Sequence, residues 1–370
     1  MKDHNRNFVI NASRISRYGG LRRFTESLMA CAAVHYDDLI VVLPRGITVP
    51  AGVECHTLPN WLAGSSRVSK LRPILWLIYA SLLFPTNRSR RVLSTTHQVL
   101  PFRKHQIVTV HDLRPYFEPD TWTQRVYFRF MLPRALRRCD GILTVSQTSK
   151  QQISSIFCID KAIIHVVPNA IDLPNLGAAH NQSKLDERKY LLMVGASWKH
   201  KNAMEVLDQY ELWRPYFRLK IVAAASQYRD QLKARIGVLG IGDSVDLLEG
   251  ITDDRLTALY RDCSALIYPS TMEGFGLPPL EAMAWSKPTI VSDIPVFREL
   301  LGDLPLYVTL GSKASWKLAI DSLVKEITIG APDRMRARST HAASYSHDQM
   351  CLAFTRAIEA IWKLKPRTAV

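Results

Sequence analysis

The chain alternates short apolar runs, rich in β-branched residues, with longer stretches of helical periodicity, and this alternation constrains its fold more than any other feature. The runs are apolar throughout, as expected for strands that are buried on both faces of a sheet. Most of them lead through a polar or glycine turn into a helical stretch. They cover residues 8–10, 39–43, 107–110, 142–145 and 163–167, then 190–194, 219–223, 245–248, 265–268 and 289–291. The pattern predicts an α/β protein with parallel sheets covered by helices.

The alternation breaks once, over residues 168–189, where prolines, asparagines and a polar stretch replace it. Such a segment is typical of a linker. A chain of 370 residues is long enough for two domains of roughly 150 residues or more. We therefore predict two domains, 1–174 and 175–348, each a run of βα units, followed by an amphipathic helix over 349–363.

The net charge of +15 is concentrated in the first half of the chain. Residues 1–174 hold 23 Lys and Arg against 11 Asp and Glu, whereas the remainder holds 25 against 22. A basic surface of this kind indicates an anionic partner: nucleic acid, an anionic membrane or a phosphorylated substrate. We find no recognised nucleic-acid-binding motif, which disfavours the first of these.

Two basic segments flank apolar and aromatic residues in the first half. Cationic flanks around such a helix fit binding to an anionic membrane surface, and a core helix beside solvated charges is the alternative. The first segment surrounds the apolar run 74–84 with Arg67, Lys70, Arg72, Arg88, Arg90 and Arg91. The second carries Arg125, Arg129, Arg134, Arg137 and Arg138.

The six cysteines are scattered and form no Cys-x-x-Cys pair, which disfavours a zinc ribbon or a redox motif. We expect buried free thiols in a reducing compartment. The polar first 14 residues lack the apolar core of a signal peptide, and the 11-residue run 74–84 is too short to cross a bilayer. These features predict a cytoplasmic location. The cysteines are Cys31, Cys55, Cys139, Cys158, Cys263 and Cys351.

The most informative segment spans residues 268–284, where a strand, a glycine loop and a helix follow one another. We expect the helix to begin at Pro278, because proline is favoured at the first helical position. Gly274 and Gly276 allow close approach of the backbone, so the N–H groups of Phe275, Gly276 and Leu277 are candidates for binding an anion or sugar hydroxyls.

Two carboxylates, Glu273 and Glu281, flank this loop. Ionised carboxylates accept hydrogen bonds from hydroxyl groups, which suits recognition of a sugar. The alternative is a glycine turn between two solvated carboxylates. The third glycine position of a dinucleotide-binding fingerprint holds Pro279, so the loop is not that fingerprint.

The stretch from Glu273 to Glu281 resembles the Glu-x7-Glu signature of retaining GT-B glycosyltransferases of family 4. Further blocks resemble the family in the expected order, at residues 16–24, 108–113, 194–202 and 292–300. The resemblance implies the GT-B fold, two doubly wound Rossmann-like domains facing across a cleft, with the C-terminal helix 349–370 packing back on the N-terminal domain. The N-terminal domain would face the acceptor, and the C-terminal domain would bind the nucleotide sugar.

The resemblance also implies roles for individual residues. Glu281 would bind the ribose hydroxyls, Glu273 the donor sugar, and Lys201 the diphosphate. His111 would contact the sugar or a phosphate. The catalytic candidates are thus His111, Glu273 and Lys201, and the donor-binding candidates are Gly19, Gly20, Ser197, Lys201, Asn202, Gly274, Phe275, Gly276, Leu277 and Glu281.

One departure from the family concerns the arginine that usually accompanies Lys201. The corresponding positions hold Ala196, Ser197 and His200. The groups that could replace this arginine are Lys199, His200, Arg14 and Arg22.

The implied activity is transfer of a hexose, of mannose or rhamnose type, from a GDP-sugar with retention at the anomeric carbon. The acceptor would be a saccharide or lipid-linked saccharide of bacterial surface polysaccharide synthesis, at the inner face of the membrane. No Asp-x-Asp occurs in the chain, so we expect neither a metal nor another cofactor. A GT-B epimerase or phosphorylase and a non-catalytic, basic membrane-binding scaffold are the alternatives.

Overall fold

The computed structural model describes residues 8–15, 19–59, 62, 79–80, 84, 90–174 and 189–364. The chain divides into two compact units. Unit 1 comprises residues 1–170 and 347–370, and unit 2 comprises residues 171–346. Of the sequence motifs, the first three residues of the block 16–24 and most of the apolar run 74–84 with its flanking basic residues lie outside the described residues.

Unit 1 is built on a seven-stranded sheet in the order β3-β2-β1-β4-β5-β6-β7. Each of these neighbouring strands pairs in parallel. The strands are β1 (Phe8–Asn11), β2 (Ile40–Leu43), β3 (Glu54–Thr57), β4 (Arg91–Ser94), β5 (Gln106–Thr109), β6 (Gly141–Thr144) and β7 (Ile164–Val166).

Unit 2 is built on a six-stranded parallel sheet in the order β10-β9-β8-β11-β12-β13. Both sheets therefore reverse their strand order between the first strand and the fourth, which is the doubly wound topology. The strands are β8 (Tyr190–Val194), β9 (Arg218–Val222), β10 (Val245–Leu248), β11 (Ala265–Tyr268), β12 (Thr289–Ser292) and β13 (Leu306–Val308).

Helices lie between many of the strands, because the chain must cross over between parallel strands. In unit 1 they are α1 (Gly20–His35), α2 (Arg114–Phe117), α3 (Trp122–Val126), α4 (Leu132–Leu136) and α5 (Gln147–Phe157), with a π-helical segment at Tyr127–Met131. In unit 2 they are α6 (Ala203–Asp208), α7 (Tyr210–Trp213), α8 (Gln227–Leu239), α9 (Asp253–Asp262), α10 (Leu277–Ala284), α11 (Pro295–Leu301), α12 (Lys313–Ile329) and α13 (Pro332–Ala343). The final helix is α14 (His347–Trp362).

The predicted fold class is confirmed, and each of the ten apolar runs predicted to be strands contains a strand. Three further strands, β3, β4 and β13, were not predicted. Strand β3 is a largely exposed edge strand with polar side chains, so it lacks the apolar run that marks a buried strand. Strand β13 is also an edge strand and is only three residues long.

Helix α14 belongs to unit 1, although the chain before it belongs to unit 2. Its buried face carries Phe354, Ile358 and Trp362. Phe354 lies edge-on to Tyr36, which follows α1, with ring centroids 6.2 Å apart, and Trp362 contacts Phe8 of β1 at 5.5 Å. Leu352, which also lies on this helix, is exposed.

The prediction of six free, buried thiols is wrong. Cys31 of α1 and Cys351 of α14 form a disulfide with 5.5 Å between their Cα atoms. The two residues are 320 positions apart, so no local spacing could announce the bond. Of the remaining four cysteines, Cys139 and Cys263 are buried as expected, whereas Cys55 and Cys158 are exposed.

Three positions of the apolar run 74–84 lie among the described residues. Tyr79, Ala80 and Phe84 are all buried in the core of unit 1, and Arg103 lies over the Phe84 ring at 5.2 Å. These three residues favour a core role over a membrane-facing one. None of the helices among the described residues has the length and apolar character needed to cross a bilayer.

Candidate functional site

The loops that follow β8 and β11 carry the candidate donor-binding residues of unit 2. The two strands are parallel neighbours, with Leu191 opposite Ala265 and Leu192 opposite Leu266. Their carboxyl ends therefore meet at the same edge of the sheet, at the point where the strand order reverses. Doubly wound sheets bind ligands at this position.

The loop after β8 turns at Gly195, which has a φ of 77°, and then forms a 3-10 turn over Lys199–Lys201. Asn202 ends the turn in the left-handed conformation, with a φ of 58°. The carbonyl of His200 accepts a hydrogen bond from the backbone N–H of Thr271, at 2.8 Å, which ties this turn to the loop after β11. The turn that carries Lys201 is thus held by both strands.

Glu205, in the first turn of α6, fixes the end of the loop turn that carries Lys201. One carboxylate oxygen accepts a hydrogen bond from Asn202 Nδ2 at 2.6 Å. The other accepts from the backbone N–H of Gly311 at 2.7 Å and from Trp316 Nε1 at 2.8 Å. Because Trp316 is fully buried in the core of unit 2, Glu205 anchors the turn to a rigid part of the protein.

Lys201 and Glu273, both candidate site residues from the sequence, are in direct contact. Lys201 Nζ donates to Glu273 Oε1 at 2.5 Å and to the hydroxyl of Tyr268, also at 2.5 Å. The ammonium group lies 4.9 Å from the centroid of the Tyr268 ring, within cation–π range. The side chains of Lys201 and Glu273 are only 14% and 12% exposed, so solvent screens this pair weakly.

The contacts of Glu273 keep its carboxylate charged. Burial by itself raises the pKa of Glu273, but the positive charge and hydrogen bond of Lys201, with a smaller contribution from His200, bring that pKa below its ordinary value. Burial, reinforced by the negative charge of Glu273, holds the pKa of Tyr268 well above its ordinary value. At neutral pH Glu273 is therefore a carboxylate and Tyr268 a neutral phenol.

The glycine loop leads into α10, which begins at Leu277 rather than at Pro278 as predicted. Gly276 caps the helix with a φ of 126°, a conformation that only glycine adopts readily, so Pro278 takes the second helical position. A Cβ atom on Gly276 would lie 2.7 Å from Cε1 of Phe297. The loop backbone is thus pressed against a buried aromatic ring, while Phe275 is itself buried beside Tyr345.

Glu281 lies on the second turn of α10 and is partly buried. Its Oε2 accepts a hydrogen bond from the hydroxyl of Tyr260, at 2.6 Å. Tyr260, on α9, is buried and therefore holds the carboxylate in one orientation. Sequence reasoning missed both Tyr260, which binds Glu281, and Tyr268, which binds Lys201.

Two other predicted donor-binding side chains hold loops together. Ser197 Oγ accepts a hydrogen bond from the backbone N–H of Ala224, at 2.7 Å, and so joins the loops after β8 and β9. Asn202 uses its amide to contact Glu205, as described above. Both side chains shape the turn that presents Lys201.

In unit 1, the glycine pair lies at the start of the first helix as the sequence predicted. Gly19 caps α1 with a φ of 103°, and Gly20 is the first helical residue. Arg22, a candidate replacement for the family's arginine, pairs with Glu26, with 2.7 Å between Nε and Oε1. Arg14, another candidate, is exposed, and its positive charge acts on His97.

His111 follows β5, and its Nε2 lies 2.9 Å from the carbonyl oxygen of Thr95. Because a carbonyl only accepts, Nε2 carries the hydrogen and Nδ1 has the lone pair. Burial lowers the pKa of His111, although the hydrogen bond to Thr95 and the charge of Asp112 act in the opposite direction. The ring is therefore neutral at pH 7 and lies edge-on to Phe24, 4.7 Å between centroids.

His97 is a neighbour of this histidine that sequence reasoning missed. Burial, followed by the charges of Arg14 and His111, lowers the pKa of His97 to about 4. Its ring lies 4.8 Å from that of the buried Phe128. Asp112 accepts a hydrogen bond from the backbone N–H of Arg114 at 2.9 Å and so caps the following turn.

Two Rossmann-type sheets, the second with a lysine turn and a Glu-x7-Glu loop at its switch point, define a GT-B glycosyltransferase. Two family models match the chain: "Glycosyltransferase Family 4" over residues 18–174 and "Glycosyl transferases group 1" over residues 178–340. The O-antigen chain mannosyltransferase RfbU of Salmonella typhimurium is 33% identical over 359 residues, 92% of this chain and 96% of the relative. The chain therefore belongs to the family 4 glycosyltransferases of the GT-B fold.

Solved structures agree on the fold. WaaG, a glycosyltransferase involved in lipopolysaccharide biosynthesis, aligns with a TM-score of 0.70 at 16% identity, covering 96% of this chain and 99% of that structure. HepE from Anabaena, in complex with UDP and glucose, aligns with a TM-score of 0.70 at 17% identity, covering 96% and 100%. Both alignments span the two units.

We expect Gly276→Ala to destabilise unit 2 by about 2–4 kcal/mol, because it adds left-handed strain to a clash with Phe297. Denaturation followed by circular dichroism measures this loss. Gly237→Ala is the matched control: Gly237 lies within α8 at an ordinary φ with open space around its Cβ, so alanine there is neutral or stabilising. Equal stability of the two variants would contradict the assigned loop geometry.

Proposed function

We propose that the protein is a retaining, metal-independent hexosyltransferase that uses a nucleotide diphosphate sugar. The observation that carries this proposal is the buried contact between Lys201 and Glu273 at the switch point of unit 2, on the loop that leads into the helix carrying Glu281. A cation for the diphosphate and two carboxylates for hydroxyl groups lie there on rigid elements. This is the set of groups that a sugar nucleotide requires.

In this proposal each group has a separate task at the donor. Glu281, oriented by Tyr260, accepts hydrogen bonds from the ribose hydroxyls. Glu273 and the backbone from Gly274 to Leu277 bind the hydroxyls of the sugar. The N-terminus of α10 adds a partial positive charge to the same place. In unit 1, the neutral His111 contacts the sugar or a phosphate, and Gly19 and Gly20 allow a phosphate to approach.

Lys201 acts on the leaving group. As the bond between the anomeric carbon and the diphosphate breaks, negative charge develops on the phosphate oxygen, and the fixed ammonium stabilises it. An ammonium has three hydrogens, of which Tyr268 and Glu273 engage two. The third can donate to a phosphate while the other two contacts hold the group in position.

Retention follows if the acceptor attacks from the side that the leaving group occupied. The acceptor oxygen bonds to the anomeric carbon, the nucleoside diphosphate departs, and the acceptor proton passes to a phosphate oxygen of the leaving group. No protein nucleophile is then needed. In the sequence, the absence of Asp-x-Asp supports charge neutralisation by Lys201 and helix N-termini instead of a divalent cation.

The named activity of the relatives favours mannose as the transferred sugar. RfbU and a second relative, the O-antigen chain mannosyltransferase B of Escherichia coli, are both mannosyltransferases by name. We therefore propose a GDP-sugar of mannose or rhamnose type as the donor, and a saccharide or lipid-linked saccharide of surface polysaccharide synthesis as the acceptor. UDP is the competing nucleotide, because HepE, which shares the fold, binds it.

A thermal-shift screen of GDP-, UDP-, ADP- and dTDP-sugars tests the donor, since a bound donor stabilises the folded chain by mass action. We expect the GDP-sugar to give the largest shift. In Glu281→Ala the donor affinity should fall about 10–100-fold, because hydrogen bonds to a charged acceptor are lost. Glu211→Ala, which removes an exposed carboxylate paired with Lys313, should bind normally. Unchanged affinity in Glu281→Ala would refute the ribose role.

We expect Lys201→Ala to lower kcat by about 10²–10³-fold, the usual loss when a transition-state donor is removed. The substitution also leaves Glu273 buried without its cation, so the double variant Lys201→Ala/Glu273→Gln separates this charge effect from lost catalysis. Nucleoside diphosphate release is measured with and without acceptor, and Lys233→Ala, on the exposed side of α8, is the control. Release of nucleoside diphosphate without an acceptor would favour an epimerase or phosphorylase. Transfer activity retained in Lys201→Ala would exclude Lys201 from the step.

We further propose that an exposed patch of unit 1 binds the anionic inner surface of the membrane. The patch spans residues 122–138 and combines exposed apolar side chains with arginines. Trp122 is 75% exposed, and Phe130 and Met131 are 55% and 53% exposed. Apolar groups that insert among lipids beside cations that meet anionic headgroups are typical of interfacial binding. The exposed arginines of the patch are Arg125, Arg129, Arg134, Arg137 and Arg138.

Flotation with vesicles tests this surface. The protein should float with vesicles that contain anionic phospholipid and not with purely zwitterionic ones, and added salt should weaken the association. The variant Trp122→Ala/Arg125→Glu/Arg134→Glu should lose most of the bound fraction while keeping its unfolding temperature. Lys233→Glu, an exposed charge reversal on α8 of unit 2, is the control. Equal flotation of the patch variant and the wild type would refute this role.

A further inference from the structure

A cluster of metal-ligating side chains lies in unit 1 where the first and last helices meet, outside the proposed donor site. Cys31 and His35 are four residues apart on α1, so both project from the same face of the helix. Cys351, near the start of α14, faces them. The three potential ligand atoms lie within 4.8 Å of one another.

The histidine of this cluster supplies an independent indication of a ligand. His35 Nδ1 is buried and has no hydrogen-bond partner among the described residues. A buried polar atom that is left without a partner costs free energy, so its retention calls for an explanation. A bound cation would satisfy this nitrogen, which a disulfide between the two cysteines cannot do.

We propose that Cys31, His35 and Cys351 bind one Zn²⁺ ion when the disulfide is reduced. Two thiolates and an imidazole suit zinc, which accepts three protein ligands and completes a tetrahedron with water. Tetrahedral zinc places ligand atoms about 3–4 Å apart, a spacing compatible with this cluster. The same three positions thus hold α14 on α1 in two chemical states, by a disulfide or by a metal.

The exchange between the states balances with a thiol or phosphine reductant. With a phosphine, the S–S bond accepts two electrons from phosphorus, water supplies the oxygen of the phosphine oxide, and two protons give two thiols. Zinc binding then releases both thiol protons, because only thiolates are ligands. In the disulfide state the two sulfurs are bonded to each other, so the set of three ligands is lost.

Zinc titration of the reduced, chelator-treated chain tests the proposal, with native mass spectrometry for stoichiometry and thermal unfolding for coupling to the fold. We expect one Zn²⁺ per reduced chain and a zinc-dependent rise in unfolding temperature, and neither in the oxidised chain. His35→Gln should weaken zinc binding at least tenfold while leaving the oxidised protein's unfolding temperature unchanged. Cobalt should give a thiolate-to-metal charge-transfer band that Cys31→Ser abolishes.

The exposed thiols provide the controls. Cys55→Ser and Cys158→Ser should bind zinc as the wild type does, since neither residue belongs to the cluster. His35→Gln keeps both cysteines, so its oxidised form is a folded reference if the cysteine variants fail to fold. Equal zinc affinity in His35→Gln and the wild type, no uptake by the reduced chain, or equal uptake by the oxidised chain would each overturn the proposal.

Discussion

The parallel pairing of β8 with β11 is the constraint on which the candidate donor site depends. It brings two loops, separated by about seventy residues of chain, to the same edge of one sheet, where Lys201 and Glu273 meet. Neither loop could position its charged group alone, because each is a turn with little regular structure. The backbone hydrogen bond from Thr271 to His200 fixes the two loops to each other.

Once formed, the Lys201–Glu273 pair explains the residues around it. Removing two charges from water is costly, and the cost is recovered only if both groups are fully hydrogen-bonded. Tyr268 supplies a further partner for the ammonium, and burial keeps this tyrosine neutral. Glu205 then holds the turn in place by hydrogen bonds with Asn202, Gly311 and the buried Trp316. The site is rigid because its charges and the core of unit 2 are linked.

Much of the fold could be predicted from the sequence because buried parallel strands consist of apolar runs. The edge strand β3 escaped notice because its exposed polar residues resemble a loop. The predicted start of α10 was one residue too late. The capping position depends on the backbone conformation of Gly276 and not on the proline that follows. The cysteines were misjudged because pairing depends on which helices touch.

By itself, the sequence determined the α/β class, the order of the motifs and the residue types at the glycine loop, since these depend on patterns within a few turns of chain. Only the tertiary structure decided that Lys201 contacts Glu273, 72 residues away, that Glu205 accepts from Trp316, 111 residues away, and that Cys31 reaches Cys351 across 320 residues. Such contacts follow from strand order, register and helix packing, which many residues determine together and no short pattern encodes.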